Sequence, residues 1–284
     1  MNRIYDLHCH STASDGSLSP TELVSRAHEM GVNVLALTDH DVTSGLEEAE
    51  KTATDLGMGF VPGIEISVTW SKSRQTVHIV GLHVDRRSET LQQGLKKLRE
   101  FRNWRAEEIG RRLAKKGIEG AYDGACEFAG GEIISRTHFA RFLIEQGYAK
   151  DMRDCFKHYL VKNKPGHVPG DWASLEAAVG WITGSGGQAV IAHPARYKMT
   201  ATRLRNLIGE FKEVGGTGFE VVSGTHSKEE IGYMGRLAQQ FELQASCGSD
   251  FHSPSNVYLE LGRLPPLPEV CVPIWDDERW SGIN

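Results

Sequence analysis

Ile4–His10 reads I-Y-D-L-H-C-H, and Val32–Asp41 reads V-N-V-L-A-L-T-D-H-D. Each is a short apolar run that ends in imidazole or carboxylate. Side chains alternate faces along a strand, so His8 and His10 point one way and Cys9 the other. Two imidazoles on one face at a strand end can chelate one ion. Val32–Thr38 is almost wholly apolar, as a strand buried on both faces should be. Between the two runs, Ser19-Pro20-Thr21-Glu22 marks a helix start. Ser19 caps, Pro20 suits the first turn, and Glu22 completes a capping box. That helix runs to about Met30 and stops at Gly31.

The same rhythm continues outward from these runs. Thr43 and Ser44 are expected to cap a second helix, to about Leu56. Gly59–Pro62, continued through Gly63–Ser67, reads as a third strand, and Thr76–His83 as a fourth. This order implies a parallel sheet or barrel with helices outside. In such barrels chemistry gathers at the C-terminal ends of strands. His8, His10, His40 and Glu65 fall at or just past such ends, and Asp15 comes five residues after His10 in a turn, S-D-G-S.

From Leu91 the pattern changes. Leu91, Leu95, Leu98, Ile109 and Leu113 have helical spacing, and the many Lys and Arg between them read as a solvated face. Residues 118–170 hold short helical stretches and no alternating strand. The segment 100–168 is therefore expected to be a small helical domain inserted into a barrel formed by 1–99 and 169–284. The α/β rhythm then resumes, with strands at Gln188–Ala192, Gly218–Val222 and Leu243–Cys247. The first of these ends in His193-Pro194 and the last in G-S-D-F-H, where Asp250 and His252 again stand two apart. The run Gly184-Ser185-Gly186-Gly187 reads as a helix stop, because a strand comes next.

At 284 residues the chain can bury a sizeable core. A net charge of −5 argues against nucleic-acid binding by overall charge, though not against a local basic patch. No apolar run approaches the ~20 residues that span a membrane, and Met1–Ile4 leads straight into a strand rather than a signal peptide. The five cysteines are scattered and form no C-x-x-C pair, so reduced thiols and a cytoplasmic location are expected.

The collected candidates are His8, His10, Asp15, His40, Glu65, His78, His193, Asp250 and His252. They are too many for one ion. Imidazole with carboxylate suits zinc, manganese or iron, and a carboxylate can bridge two ions. Clustered metals that activate water suit phosphoester hydrolysis. Asp39 and Asp41 flank His40, and one of them could orient its imidazole. His28, His83, His158 and His226 fit no motif. Walker A, G-x-S-x-G and H-E-x-x-H are absent.

In order along the chain, D-L-H-C-H-S-T-A-S-D-G, L-T-D-H-D, P-G-I-E-I-S, H-I-V-G, I-A-H-P and G-S-D-F-H resemble the PHP (polymerase and histidinol phosphatase) superfamily. The segments I-S-R-T-H-F-A-R-F-L and K-P-G-H-V-P are similar to its TrpH subgroup. That subgroup includes 3′,5′-nucleoside bisphosphate phosphatases and RNase AM-like 5′→3′ exoribonucleases that trim ribosomal RNA 5′ ends. The resemblance implies an α/β fold, a distorted (β/α)7 TIM-like PHP barrel with a small helical inserted domain. It implies three divalent metal ions, with manganese expected first and zinc or iron as alternatives. His8, His10, Glu65 and Asp250 would hold one ion. Glu65, His78 and His193 would hold a second, and Asp15, His40 and His252 a third. Asp15 departs from members that carry His there. Glu65, Asp250 and His193 are assigned to catalysis as well.

The expected activity is metal-dependent hydrolysis, by a metal-held hydroxide, of the 3′-phosphate of nucleoside 3′,5′-bisphosphates, removal of nucleotides from 5′-phosphorylated RNA, or both. A small-molecule phosphatase of the histidinol-phosphate type is the alternative enzyme, and a non-catalytic metal-binding accessory module the alternative of another class. Expected partners are the nucleotide or RNA substrate, without membrane or obligate protein partner. A separate anchor for the substrate 5′-phosphate is expected at Ser135, Arg136 and His138, where a helix N-terminus offers free N–H groups, helped by Lys164 and Arg196.

Overall fold

The computed structural model describes residues 3–70 and 74–283. Met1 and Asn2, on which the reading of the N-terminus partly rests, lie outside the described residues. The chain runs β1 (Tyr5–Asp6), α1 (Pro20–Glu29), β2 (Val34–Leu37), α2 (Leu46–Asp55), β3 (Gly59–Trp70) and β4 (Gln75–Leu82). It continues through α3 (Glu89–Ala114), α4 (Ala121–Phe128), α5 (Arg136–Glu145) and α6 (Met152–Cys155), then one π-helical turn at 156–160. The closing elements are α7 (Leu175–Gly184), β5 (Gln188–Ile191), α8 (Ala201–Glu213), β6 (Gly218–Ser223), α9 (Lys228–Gln240) and β7 (Gln244–Gly248).

The seven strands pair in chain order. The Leu7 amide donates to the Cys247 carbonyl at 3.0 Å, and Cys9 bridges Phe251 in parallel, so β7 returns to β1 and the barrel is nearly closed. No described helix is long and apolar enough to cross a membrane.

Two local expectations change. The sheet is not parallel throughout: β4 runs antiparallel to both β3 and β5. Residues 71–74 are too few for the crossover that parallel neighbours require, so β3 and β4 form a hairpin. His78 consequently enters from the N-terminal half of its strand, not from a C-terminal end. Helix α2 begins at Leu46 with Gly45 in the cap position and no side-chain cap, while Thr43 instead accepts a hydrogen bond from Gln92. Helix α1 does carry the full Ser19–Glu22 capping box.

Alternation along the strands sorts the interior. On β2, Leu35 and Leu37 pack outward beneath the helices, while Val34 and Ala36 face a separate inner cluster. On β4 the inner cluster takes Val80 and Leu82, and on β5 it takes Val190. Ile274 and Trp280 from the C-terminal segment complete this apolar layer. His78 has the parity of Val80 and Leu82, one step nearer the other end. Glu65 likewise has the parity of Val61. The barrel is therefore apolar in one layer and polar in the next. A further cluster, including Ile109, Leu113, Phe139, Leu143 and Leu160, unites the second half of α3 with α4, α5 and the π-helical turn.

Candidate metal centre

The polar layer is organised around Glu65, which is fully buried. One carboxylate oxygen lies 2.9 Å from His78 Nδ1, 3.0 Å from His193 Nε2 and 3.4 Å from His8 Nε2. The other lies 2.8 Å from His40 Nδ1 and 3.4 Å from His10 Nε2. Asp250 Oδ1 stands 3.6 Å from His8 Nε2 and 3.3 Å from His10 Nε2. At the far side, Asp15 Oδ1 is 3.3 Å from His252 Nε2 and 3.9 Å from His40 Nε2. All nine sequence-derived candidates are thus brought into one constellation.

Among the described residues, three groupings offer converging ligand atoms: His8–His10–Glu65, His40–Glu65–His78, and His10–Asp15–His40–His252. His10, His40 and Glu65 each belong to two of them. Ligand atoms about 2.1 Å from one ion lie roughly 3.0–3.4 Å apart, close to the separations here. His40 Nδ1 and Glu65 Oε2 are 2.8 Å apart, yet both are buried without a hydrogen-bond partner. Asp15 Oδ1 is orphaned in the same way. Such atoms aim at a common point rather than at each other, so this donor set fits divalent cations.

The neighbours of these side chains fix their orientation. His252 Nδ1 donates to the Asp250 carbonyl at 2.8 Å, which turns Nε2 toward Asp15. His8 Nδ1 lies 3.2 Å from Glu220 Oε1, and the His193 amide donates to the other Glu220 oxygen. Glu220 is buried, and carboxylates behind ligating imidazoles set their tautomer. The flanking aspartates do not orient His40. Asp39 accepts from the Ser11 amide and from the Ser11 and Ser14 hydroxyls, fixing the first loop. Asp41 accepts from the Ser67 amide and pairs with Arg102 at 2.6 Å.

Charge is balanced among these groups. Burial would raise Glu65, but His78, His40 and His8 outweigh it and hold the carboxyl well below its usual range. Burial, with repulsion from His252 and His40, pushes His10 down to about 3. Burial alone would lower His252, yet Asp15 and Asp250 raise it to about 9. His8 is likewise raised, by Glu220 and Glu65 acting against burial. Both shifts favour protons on His8 and His252 in the metal-free protein, and uptake of a divalent ion would have to expel them. Titrating Mn²⁺ into metal-stripped protein at pH 7, in buffers of different ionisation enthalpy, is expected to show net proton release and an affinity that rises with pH. Absence of proton release would contradict this charge arrangement.

The centre forms the floor of a cavity of about 380 Å³, whose walls include Arg102, Arg105, Arg136, Phe156, His167 and Trp172. A larger cavity of about 580 Å³ lies beside Tyr5 and Trp275, but its lining has no carboxylate or imidazole, and we assign the chemistry to the smaller one. The anchor residues expected from sequence divide. Arg136 lines the cavity with its guanidinium 5.4 Å over Phe156, and Arg196 lines it while paired with Asp250. Ser135 and Thr137 also line it, and they donate their hydroxyls to Asp15 Oδ2 at 3.1 and 3.0 Å, which steers that candidate ligand. His138 is buried outside the cavity lining and accepts from the Ser135 amide at 3.2 Å, a helix cap. Lys164 is exposed and outside the lining.

Sequence reading passed over several residues here. Arg102 and Arg105 are buried, not part of a solvated face. Arg102 bonds Asp41 and Ser67, and Arg105 donates to the Val168 carbonyl at 3.0 Å. The signal was their spacing, since 91, 95, 98, 102, 105 and 109 form one stripe. Glu220 gave a fainter one, a lone acid inside the apolar run G-F-E-V-V.

A PHP domain model matches residues 6–209. The chain is 49% identical over 271 residues to a 3′,5′-nucleoside bisphosphate phosphatase of Chromobacterium violaceum, covering 95% of this chain and 94% of that one. It is 44% identical over 274 residues to the Escherichia coli 5′-3′ exoribonuclease Rnm, covering 96% and 92% respectively. A solved Chromobacterium violaceum structure, described as an amidohydrolase with bound sulfate and no metal, superposes with a TM-score of 0.92. It is 48% identical, over 96% of this chain and 95% of that one.

Proposed function

We propose, on the premise that this chain belongs to the PHP domain family, that it is a metal-dependent phosphoester hydrolase acting on the 3′-phosphate of nucleoside 3′,5′-bisphosphates and on 5′-phosphorylated RNA from its 5′ end. The observation that carries the reading is one cavity with two unlike halves: seven of the nine converging imidazoles and carboxylates on the floor, with His8 and His10 buried beyond the lining, and a wall of guanidinium groups. RNA with a 5′-phosphate presents the same two phosphates as the bisphosphate, except that the 3′-phosphate is esterified onward. One site can therefore serve both substrates. The similarity to relatives named for each activity supports the same pairing.

His8, His10, Glu65 and Asp250 are assigned to one ion, Glu65 with His78 and His193 to a second, and Asp15, His40 and His252 to a third. Manganese is the proposed ion. When bound, such ions supply Lewis acidity toward phosphoryl oxygens and lower the pKa of water. The remaining work belongs to the chain. Glu65 ties the groupings together, Glu220 holds His8, and the Ser135 and Thr137 hydroxyls aim Asp15. Residues 100–168 are proposed as the substrate-binding insert. The five cysteines are free, which supports a cytoplasmic site of action.

The 5′-phosphate is assigned to Arg136 and Arg105. Arg102 has its charge met by Asp41. Burial, and then repulsion from Arg136 and Arg102, lowers Arg105 to about 9, and Arg136 is lowered by burial and by Arg102. A bound dianion would relieve both guanidiniums. Arg136→Ala is expected to weaken turnover of adenosine 3′,5′-bisphosphate by ~1.5–3 kcal/mol, the range of a charge-assisted hydrogen bond, and to spare p-nitrophenyl phosphate. Steady-state kinetics on the two substrates test the assignment, and equal losses on both would remove Arg136 from it.

A further inference from the structure

Trp104 is the single exposed tryptophan of the six in the chain, with 54% of its surface open to solvent. About half of this indole therefore stays in water on an otherwise charged helix. Its position ties it to the cavity. The Trp104 ring lies 5.5 Å from the Phe101 ring at a 31° tilt, and Phe101 meets Trp172 edge-on at 4.8 Å. Trp172 lines the cavity, and its own ring is already engaged by Arg102 at 4.9 Å and Arg105 at 5.5 Å. A train of three rings thus leads from the cavity wall to the surface, and only its outer ring is exposed.

The scaffold beneath it is rigid. Trp104 stands in α3 between Arg102, fixed by Asp41 and Ser67, and Arg105, fixed by the Val168 carbonyl. A flat ring held on such a support suits another flat ring. Every nucleobase has a π-face, so stacking binds single strands with little regard to sequence, as an enzyme shortening RNA from one end requires.

We infer that Trp104 is a stacking platform for a base of single-stranded RNA lying downstream of the bond that is cleaved. This rests on the RNA part of the proposed function. A nucleoside bisphosphate ends within the cavity and has no base to place there, whereas a longer strand leaving the cavity does. The platform therefore discriminates polynucleotide from mononucleotide without touching the reacting atoms.

The test uses the Mn²⁺-loaded full chain, wild type, Trp104→Ala and Trp104→Phe. Initial rates are measured on adenosine 3′,5′-bisphosphate and on 5′-phosphorylated RNAs of two and six nucleotides. Trp104→Ala is expected to raise KM for the hexamer about tenfold, within the range of one base–aromatic stack. Its kcat, and both constants for the bisphosphate, should stay unchanged, and Trp104→Phe should recover most of the loss. An unchanged hexamer KM in Trp104→Ala overturns the platform and leaves the proposed function standing. An equal loss on the bisphosphate overturns it too, because the effect would then come from the shared site. If the wild type hydrolyses the bisphosphate and leaves both RNAs intact, the RNA reading and the platform fall together.

Discussion

Glu65→Gln is expected to abolish phosphoester hydrolysis, lowering kcat/KM by about a thousandfold or more, since even outer partners of metal ligands cost 10–100-fold. No other side chain meets so many candidate ligands: five imidazoles lie within 3.4 Å of its two oxygens. The substitution keeps the shape and one acceptor but removes the negative charge, and the amide nitrogen cannot ligate. It also leaves protonated imidazoles facing a neutral group, so the protein should bind fewer metal equivalents and unfold at a lower temperature. Elemental analysis, thermal unfolding and kinetics on one preparation separate these effects. Wild-type activity within tenfold, at full metal occupancy, would remove Glu65 from the centre.

Glu220→Ala is expected to be the next most damaging, at about 10–100-fold in metal affinity or activity. Glu220 is assigned no contact with substrate. It receives His8 Nδ1 on one oxygen and the His193 amide on the other. His193 has a positive φ of 28°, a conformation that needs support from its surroundings. Without Glu220, both imidazoles lose their orientation together. Activity should then require more Mn²⁺ for half-saturation and recover partly at high Mn²⁺, and Glu220→Gln, which keeps an acceptor, should lie between. Activity titrations against Mn²⁺ measure this directly. An unchanged requirement in both variants would make Glu220 a mere filler of the barrel.

The residues legible in the sequence are those whose pattern is rare. Imidazole and carboxylate seldom end an apolar strand, so His8, His10, His40, His193, Asp250 and His252 announced themselves, and Glu65 did so from within β3. The barrel was legible from its alternation of strands and helices. The direction of β4 was not, because an apolar strand reads alike in either direction; only the short link at 71–74 carried that information. Arg102 and Arg105 were missed because charged side chains are so rarely buried unless paired, and the pairing groups Asp41 and Val168 lie far away in sequence. That the Ser135 and Thr137 hydroxyls also meet Asp15 was not legible, because some 120 residues separate them in the chain. His138 likewise spends its imidazole on a cap.

On the proposed function, one metal-dependent site cleaves the bond between the 3′-oxygen and its phosphorus while holding a 5′-phosphate. Its most direct measurement offers adenosine 3′,5′-bisphosphate and a 5′-phosphorylated RNA side by side to Mn²⁺-loaded and metal-stripped protein, with products identified by mass. The expected products are adenosine 5′-monophosphate and inorganic phosphate from the first, 5′-mononucleotides released in order from the 5′ end of the second, and neither from stripped protein. Release of adenosine 3′-monophosphate, or equal hydrolysis by protein shown to be metal-free, would contradict it.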